Sequence, residues 1–257
     1  MFRSVTDSML FYPERGQWRT PADLDLAFEE VWVDAAGDRI QGWWLPGPGT
    51  GPVVLMFHGN AGTIAYRLDN ARLMIEELGA TVFLAEYPGY GDSEGRPSEA
   101  SLFAAGEAAL ELARERAGDR ALIVFGRSLG GAVAVHLAAG QPWGGSRMDG
   151  LIVESTFTGL AELGRALGFP VAGPLLPYRF DSLESIARVD VPTLVLHGDR
   201  DEIVPFSMGK RLYEAATAAP VRRFYTIKDA GHNDTLFVGG PEYWRTWREF
   251  LDELHSP

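Results

Sequence analysis

The 257-residue chain contains no cysteine. That excludes disulfide staples, zinc–thiolate and iron–sulfur sites, and a cysteine nucleophile. Basic residues are also scarce. The 23 Lys and Arg face 35 Asp and Glu, a formal charge of −12, and a surface built to neutralise phosphates needs the opposite balance. The composition therefore argues against nucleic acid as a partner. No stretch reaches the roughly 18 to 20 uninterrupted apolar residues that a spanning helix needs. The N-terminal run MFRSVTD is broken by charge at once and offers neither an apolar targeting core nor a small-residue cleavage site. The expectation is a cytoplasmic protein without a transmembrane segment. Neither G-x-G-x-x-G nor a P-loop pattern occurs, so no nucleotide cofactor is expected.

What is present is ordinary globular composition, 46% hydrophobic and 23% charged. Residues 26–33 and 39–45, separated by a short turn at 34–38, predict a leading antiparallel hairpin. After a Pro/Gly linker at 46–52 comes VVLMF (53–57), apolar without alternation, as for a strand buried on both faces. The pattern repeats at 81–85, 121–125, 151–153, 193–196 and 224–227, with helical stretches predicted at 63–78, 98–117, 129–139, 205–217 and 241–254. That beat predicts an α/β fold, a mostly parallel sheet with helices on both faces. Residues 157–190 break the rhythm with Pro170, Pro174 and Pro177 and read as a short helical lid or a long packed loop. The rest reads as one domain over 1–257, with this lid inserted at about 157–190.

The pattern G-x-S-x-G, which can hold a serine hydroxyl out on a sharp strand-to-helix turn, occurs twice, around Ser93 and around Ser128. Twelve serines and 30 glycines in random order give about 0.16 matches, so context decides. Gly126 directly follows the apolar run ALIVF, and Ser128 opens the small-residue stretch LGGAVAVHL. Ser93 follows the turn-rich YPGY, precedes Gly95-Arg96-Pro97, and lies between Asp92 and Glu94, whose charges oppose a developing oxyanion. Ser128 is the nucleophile candidate and Ser93 a loop residue.

A serine nucleophile needs a base. His136 lies inside a predicted helix and His255 at the C-terminal end, while His58 and His197 each end a strand before a glycine and read as scaffold residues. His232 lies in the polar loop DAGHND after the last strand, at the edge where parallel sheets present catalytic groups. The carboxylate that fixes its tautomer comes from HGDRDEIVP (197–205), which offers Asp199 and Asp201. Spacing alone leaves both open, with a slight preference for Asp201.

The order Ser128, Asp201, His232 matches the order nucleophile, acid, base of α/β-hydrolases. With VVLMFHGNAG (53–62), EYPGYG (86–91), GRSLGG (126–131), ESTF (154–157), HGDRDEIVP (197–205) and GHNDT (231–235), the chain resembles the α/β-hydrolase superfamily and, within it, the Bem46-like, ABHD13/ABHD17-type group of serine hydrolases. The resemblance implies Asp201 as the acid and the backbone N–H groups of Asn60 and Leu129 as oxyanion donors. Many eukaryotic members carry an N-terminal membrane anchor. None is read here, which counts against membrane-lipid or palmitoyl-protein substrates. Phe169, Leu175, Leu176, Tyr178 and Phe180 are candidates to line an acyl pocket or to pack as a core.

The leading reading is a serine hydrolase that cleaves carboxylic esters of a small-molecule acyl substrate through an acyl-enzyme. A peptide-terminal amidase with the same triad and a non-catalytic binding member are the alternatives. The acidic surplus points to a substrate that is neutral or cationic where it approaches. His197, Asp199 and Asp201 alternate like metal ligands, but Gly198 and the turn oppose that pairing and no second cluster supports it, so no metal is expected. The reading predicts that activity falls as pH drops through the ordinary imidazole range, about 6 to 7, in a pH–rate profile.

Overall fold

The computed structural model describes residues 5–140, 148–168 and 177–254, which fall into two units, 1–123 and 124–257. The first opens with helix α1 (Val5–Leu10) and strand β1 (Tyr12–Pro13), neither predicted from sequence. Strands β2 (Glu29–Ala35) and β3 (Asp38–Leu45) form the predicted antiparallel hairpin. Its two-residue turn, Ala36-Gly37, has positive φ at both positions (52° and 94°), the mirror-image turn whose twist matches that of the flanking strands. Strand β4 (Val53–Phe57) is buried at all five positions, β5 (Ala61–Gly62) pairs parallel with β1, and β6 (Thr81–Ala85) pairs parallel with β4 and antiparallel with β3. The helix predicted over 63–78 is a 3-10 turn, Ile64–Arg67, followed by α2 (Leu68–Leu78). Helix α3 (Glu99–Ala117) starts where the Ser98 hydroxyl caps the Ser101 N–H at 3.1 Å. Its buried stripe of Ala105, Gly106, Ala109 and Ala113 packs on β2, β4 and β6.

The second unit begins as strand β7 (Leu122–Arg127) crosses into it. It continues through α4 (Leu129–Ala139), β8 (Gly150–Glu154), α5 (Leu160–Ala166), α6 (Ser182–Ile186), β9 (Thr193–Gly198), α7 (Phe206–Ala215), β10 (Arg222–Ile227) and α8 (Thr235–Leu254). Its sheet order is β10, β9, β8, β7, with β10 and β8 both parallel to β9. Strands β7, β8 and β9 are buried throughout, as their unbroken apolar runs require. Strand β10 differs from expectation: it is an edge strand, with Arg222, Arg223 and Thr226 exposed and only Ile227 buried. Within α8, Gly240 (φ 50°, ψ −138°) is not helical and separates a short helical segment at 235–239, not predicted from sequence, from the predicted helix that begins at Pro241. In the predicted lid, α5 and α6 are the short helices, and α6 packs against α4 and α7. Phe169, Pro170, Pro174, Leu175, Leu176 and His255 lie outside the described residues. Among the described residues no helix is long and apolar enough to cross a membrane.

Buried polar groups in the first unit explain two motifs. His58 is 1% exposed and its Nε2 lies 2.7 Å from Glu86 Oε1, while Glu86 Oε2 accepts the Ile64 N–H at 2.9 Å. The Tyr87 hydroxyl donates to the His58 carbonyl at 2.7 Å. His58 is thus the loop brace that the sequence suggests. Ser93 is fully buried, and its hydroxyl accepts the Gln41 N–H at 3.0 Å. Ser93→Ala strands that buried donor, so denaturant unfolding should show a loss of about 1–3 kcal/mol.

Candidate active site

Ser128 sits between β7 and α4 at φ 55°, ψ −120°, a left-handed backbone state for a residue with a side chain. Three hydrogen bonds hold it. The Ser128 N–H donates to Glu154 O at 2.9 Å, and the Ser128 carbonyl accepts the Gly131 N–H at 3.0 Å and the Thr156 hydroxyl at 2.7 Å. The flanking glycines are a steric requirement. A Cβ on Gly126 would lie 2.1 Å from the Gly130 carbonyl oxygen, and one on Gly131 would lie 2.5 Å from Thr156 Cβ. The result is a half-buried serine on a sharp strand-to-helix turn. Leu129 is the first residue of α4, where backbone N–H groups have no partner within the helix.

His232 and Asp201 come together in the loops after β10 and β9. His232 Nδ1 lies 2.8 Å from Asp201 Oδ2, with the Asp201 side chain fully buried and that of His232 6% exposed. Asp201 Oδ1 accepts the Ile203 and Val204 N–H groups at 3.0 and 2.7 Å. A second imidazole, missed from sequence as a partner of Asp201, completes its environment: His197 Nε2 is 3.3 Å from Asp201 Oδ2 and 2.9 Å from Val204 O. Burial pushes the Asp201 carboxyl up, but the hydrogen bonds from His197 and His232, the His232 charge and the Val204 N–H together hold it well below the ordinary carboxylate range.

Asp199 has other work. Its Oδ1 accepts the Asp229 N–H at 2.7 Å, and the Arg200 N–H donates to Ala230 O at 2.9 Å, so the two loops are laced together. The lacing is close: a Cβ on Gly198 would lie 2.3 Å from the Ala230 carbonyl oxygen. The His232 N–H donates to Glu202 Oε2 at 3.2 Å, and the Gly231 N–H to Asp234 Oδ1 at 2.7 Å. The Asp234 carbonyl accepts from Phe237 and Val238, which starts α8. Among the described residues no group of three or more His, Asp and Glu side chains is placed to hold a metal ion.

Beneath His232 lies a buried pair that sequence reading did not connect. Arg127 Nε is 3.2 Å from Glu154 Oε1, and Arg127 Nη2 donates to the His232 carbonyl and, at 3.1 Å, to Asn233 Oδ1. Glu154 also accepts the Thr235 and Tyr243 hydroxyls, each at 2.7 Å. Burial, reinforced by the Glu154 charge, pushes the Tyr243 phenol far up, so Tyr243 keeps its proton and donates. Both charges stood in quoted motifs, GRSLGG and ESTF, but a pairing across strands leaves no local spacing to read.

Elsewhere, Asn60 carries structural bonds in the first unit: its carbonyl accepts from Tyr12 N (2.9 Å) and the Tyr90 hydroxyl (2.8 Å), and its Nδ2 donates to Leu10 O (2.9 Å). His136 lies on α4, partly exposed. On the segment read as a lid or a packed loop, Tyr178 lines a cleft of about 390 Å³ with Glu162, Arg165, Arg179, Asp181 and Leu183, while Phe180 is 1% exposed and packs as core.

Because the folded-state pKa of Asp201 is depressed, its ionised form stabilises the fold above the unfolded value, about pH 4, and that contribution is lost as pH falls through the lowered folded value. Asp201→Asn should therefore be less stable than wild type at neutral pH, with the gap in melting temperature closing only in acid. A gap that stays constant into acid would contradict this.

A sequence profile of the alpha/beta hydrolase fold matches residues 52–183. The protein Bem46 of Schizosaccharomyces pombe is 35% identical, with 91% of this chain and 80% of that protein covered. The lysophosphatidylserine lipase ABHD12 of Xenopus tropicalis is 30% identical over 92% of this chain, which spans 65% of that protein. Among solved structures, the Pyrococcus furiosus esterase Pf2001 superposes with a TM-score of 0.76 at 20% identity, covering 94% of this chain and 98% of that one. The chain belongs to the alpha/beta hydrolase family and is a Bem46-like member of it.

Proposed function

We propose that the protein is a serine hydrolase that cleaves carboxylic esters, with Ser128 as nucleophile, His232 as base and Asp201 as the acid that orients it. The observation that carries this is the 2.8 Å contact between His232 Nδ1 and the buried, ionised Asp201, in the same unit as a serine held at φ 55° on a strand-to-helix elbow. With Nδ1 donating to Asp201, Nε2 of the neutral imidazole is left as the proton acceptor. Ser128 Oγ attacks the ester carbonyl as Nε2 takes its proton. The backbone N–H of Leu129 stabilises the oxyanion, and the alkoxide leaves with the proton returned by His232. Water, deprotonated by the same imidazole, then attacks the acyl-serine; the proton returns to Ser128 Oγ and the carboxylic acid departs.

The depressed pKa of Asp201 keeps it anionic while the imidazolium forms, so the histidine is stabilised electrostatically rather than relaying its proton onward. The lipase and esterase names of similar proteins support acyl esters as the substrate class. We further propose that the chain is a single hydrolase domain with the insertion at about 157–190; the match over 52–183 runs across the boundary at 123 and supports this.

A panel of p-nitrophenyl esters of graded chain length tests the chemistry and the pocket together. Wild type should hydrolyse at least the short esters, and Ser128→Ala should lose about 10³-fold or more in kcat. Ester turnover that survives Ser128→Ala would sink the proposal.

A further inference from the structure

The triad does not use Arg127 and Glu154, yet they form a buried ion pair, with side chains 9% and 3% exposed. Removing two charges from water is costly, and such a pair can often be replaced by neutral residues of similar shape with no loss of stability. Stability therefore gives little reason for it here. Its connections give a better one. Arg127 is covalently next to Ser128, and its guanidinium donates to the carbonyl of His232 and to Asn233 Oδ1. Glu154 holds that guanidinium by Nε, and its own carbonyl accepts the Ser128 N–H at 2.9 Å. Its carboxylate is fixed in turn by Thr235, three residues beyond His232, and by Tyr243 on α8.

We infer that Arg127 and Glu154 are positioning residues that set the distance between nucleophile and base. His232 is held at its N–H by Glu202, at Nδ1 by Asp201 and at its carbonyl by Arg127. The first two anchors lie on the loop after β9. Of these three, the last runs to Arg127, the end of the strand that leads into Ser128. The guanidinium thus converts the position of the elbow into the position of the imidazole, and its planar fork serves Glu154, His232 and Asn233 at once, which a lysine ammonium cannot do. This inference rests on the assignment of Ser128 and His232 proposed above.

The experiment is the rate of covalent labelling by a fluorophosphonate probe, together with kcat, KM and melting temperature, for Arg127→Met/Glu154→Gln. The double variant removes both charges and so leaves no unpaired ion in the interior. If the pair were only structural, stability and reactivity would recover together. The expected result is a melting temperature near that of wild type, labelling and kcat reduced about 10- to 100-fold, and KM unchanged, the signature of a displaced catalytic group. Wild-type labelling and kcat in the folded double variant would overturn the inference.

Arg127→Lys keeps a cation beside Glu154 and covers the case in which the double variant does not fold. It should label more slowly at an unchanged melting temperature, and wild-type labelling would again overturn the inference. Wild type and Ser128→Ala run alongside. An unlabelled wild type, or labelling that survives Ser128→Ala, overturns the serine-hydrolase reading and this inference with it. Normal labelling through Ser128 with both Arg127 variants unaffected overturns the inference alone.

Discussion

A residue with a side chain held at φ 55°, ψ −120° is the constraint from which the rest of the site follows. Such a backbone state costs on the order of 1–3 kcal/mol and persists only where the surroundings over-determine it. Here they do. Glu154 O, Gly131 N–H and the Thr156 hydroxyl fix the peptide on either side of Ser128, and the glycines at 126 and 131 let backbone and Thr156 approach where a Cβ could not fit. One consequence is a hydroxyl held out of the helix it precedes. Another is a helix N-terminus placed immediately after Ser128.

The loops that carry Asp201 and His232 show the same economy. Residues 199–202 and 229–232 are tied by Asp199 to Asp229, Arg200 to Ala230 and Glu202 to His232, so the contact between Asp201 and His232 sits within a ladder of backbone-directed bonds. Asp201 is saturated by two N–H groups and two imidazoles, which is why a carboxylate with a fully buried side chain stays ionised. The division of labour between neighbouring aspartates is physical: Asp199 faces the next loop's backbone, and Asp201, two residues further along, faces the imidazole.

Much of this was legible in the sequence because it depends on local pattern. The apolar runs at 53–57, 81–85 and 193–196 mark interior strands, and a strand, a glycine-flanked serine and a small-residue stretch mark the elbow. Where the reading fell short, the deciding interaction was remote. Residues 224–227 look like an interior strand, yet nothing local reveals that β10 lies at a sheet edge. Gly240-Pro241 reads as a helix start and is one, but the short segment that Asp234 opens before it went unread because its first turn rests on the Asp234 carbonyl rather than on a local apolar period. Asp199 and Asp201 share one turn, and only their partners on another loop tell them apart. His197 looked like a scaffold residue because its contact with Asp201 is a matter of side-chain direction. Arg127 and Glu154 lie 27 residues apart on different strands, beyond any spacing rule.

The central claim is that Ser128 is the reactive hydroxyl of this chain. Its most direct test is tandem mass spectrometry of the folded protein after reaction with a fluorophosphonate, which reports the residue that carries the adduct. The account predicts a single adduct on Ser128, with Ser93 unmodified. An adduct on Ser93, or a folded protein that takes up no probe at all, would contradict it.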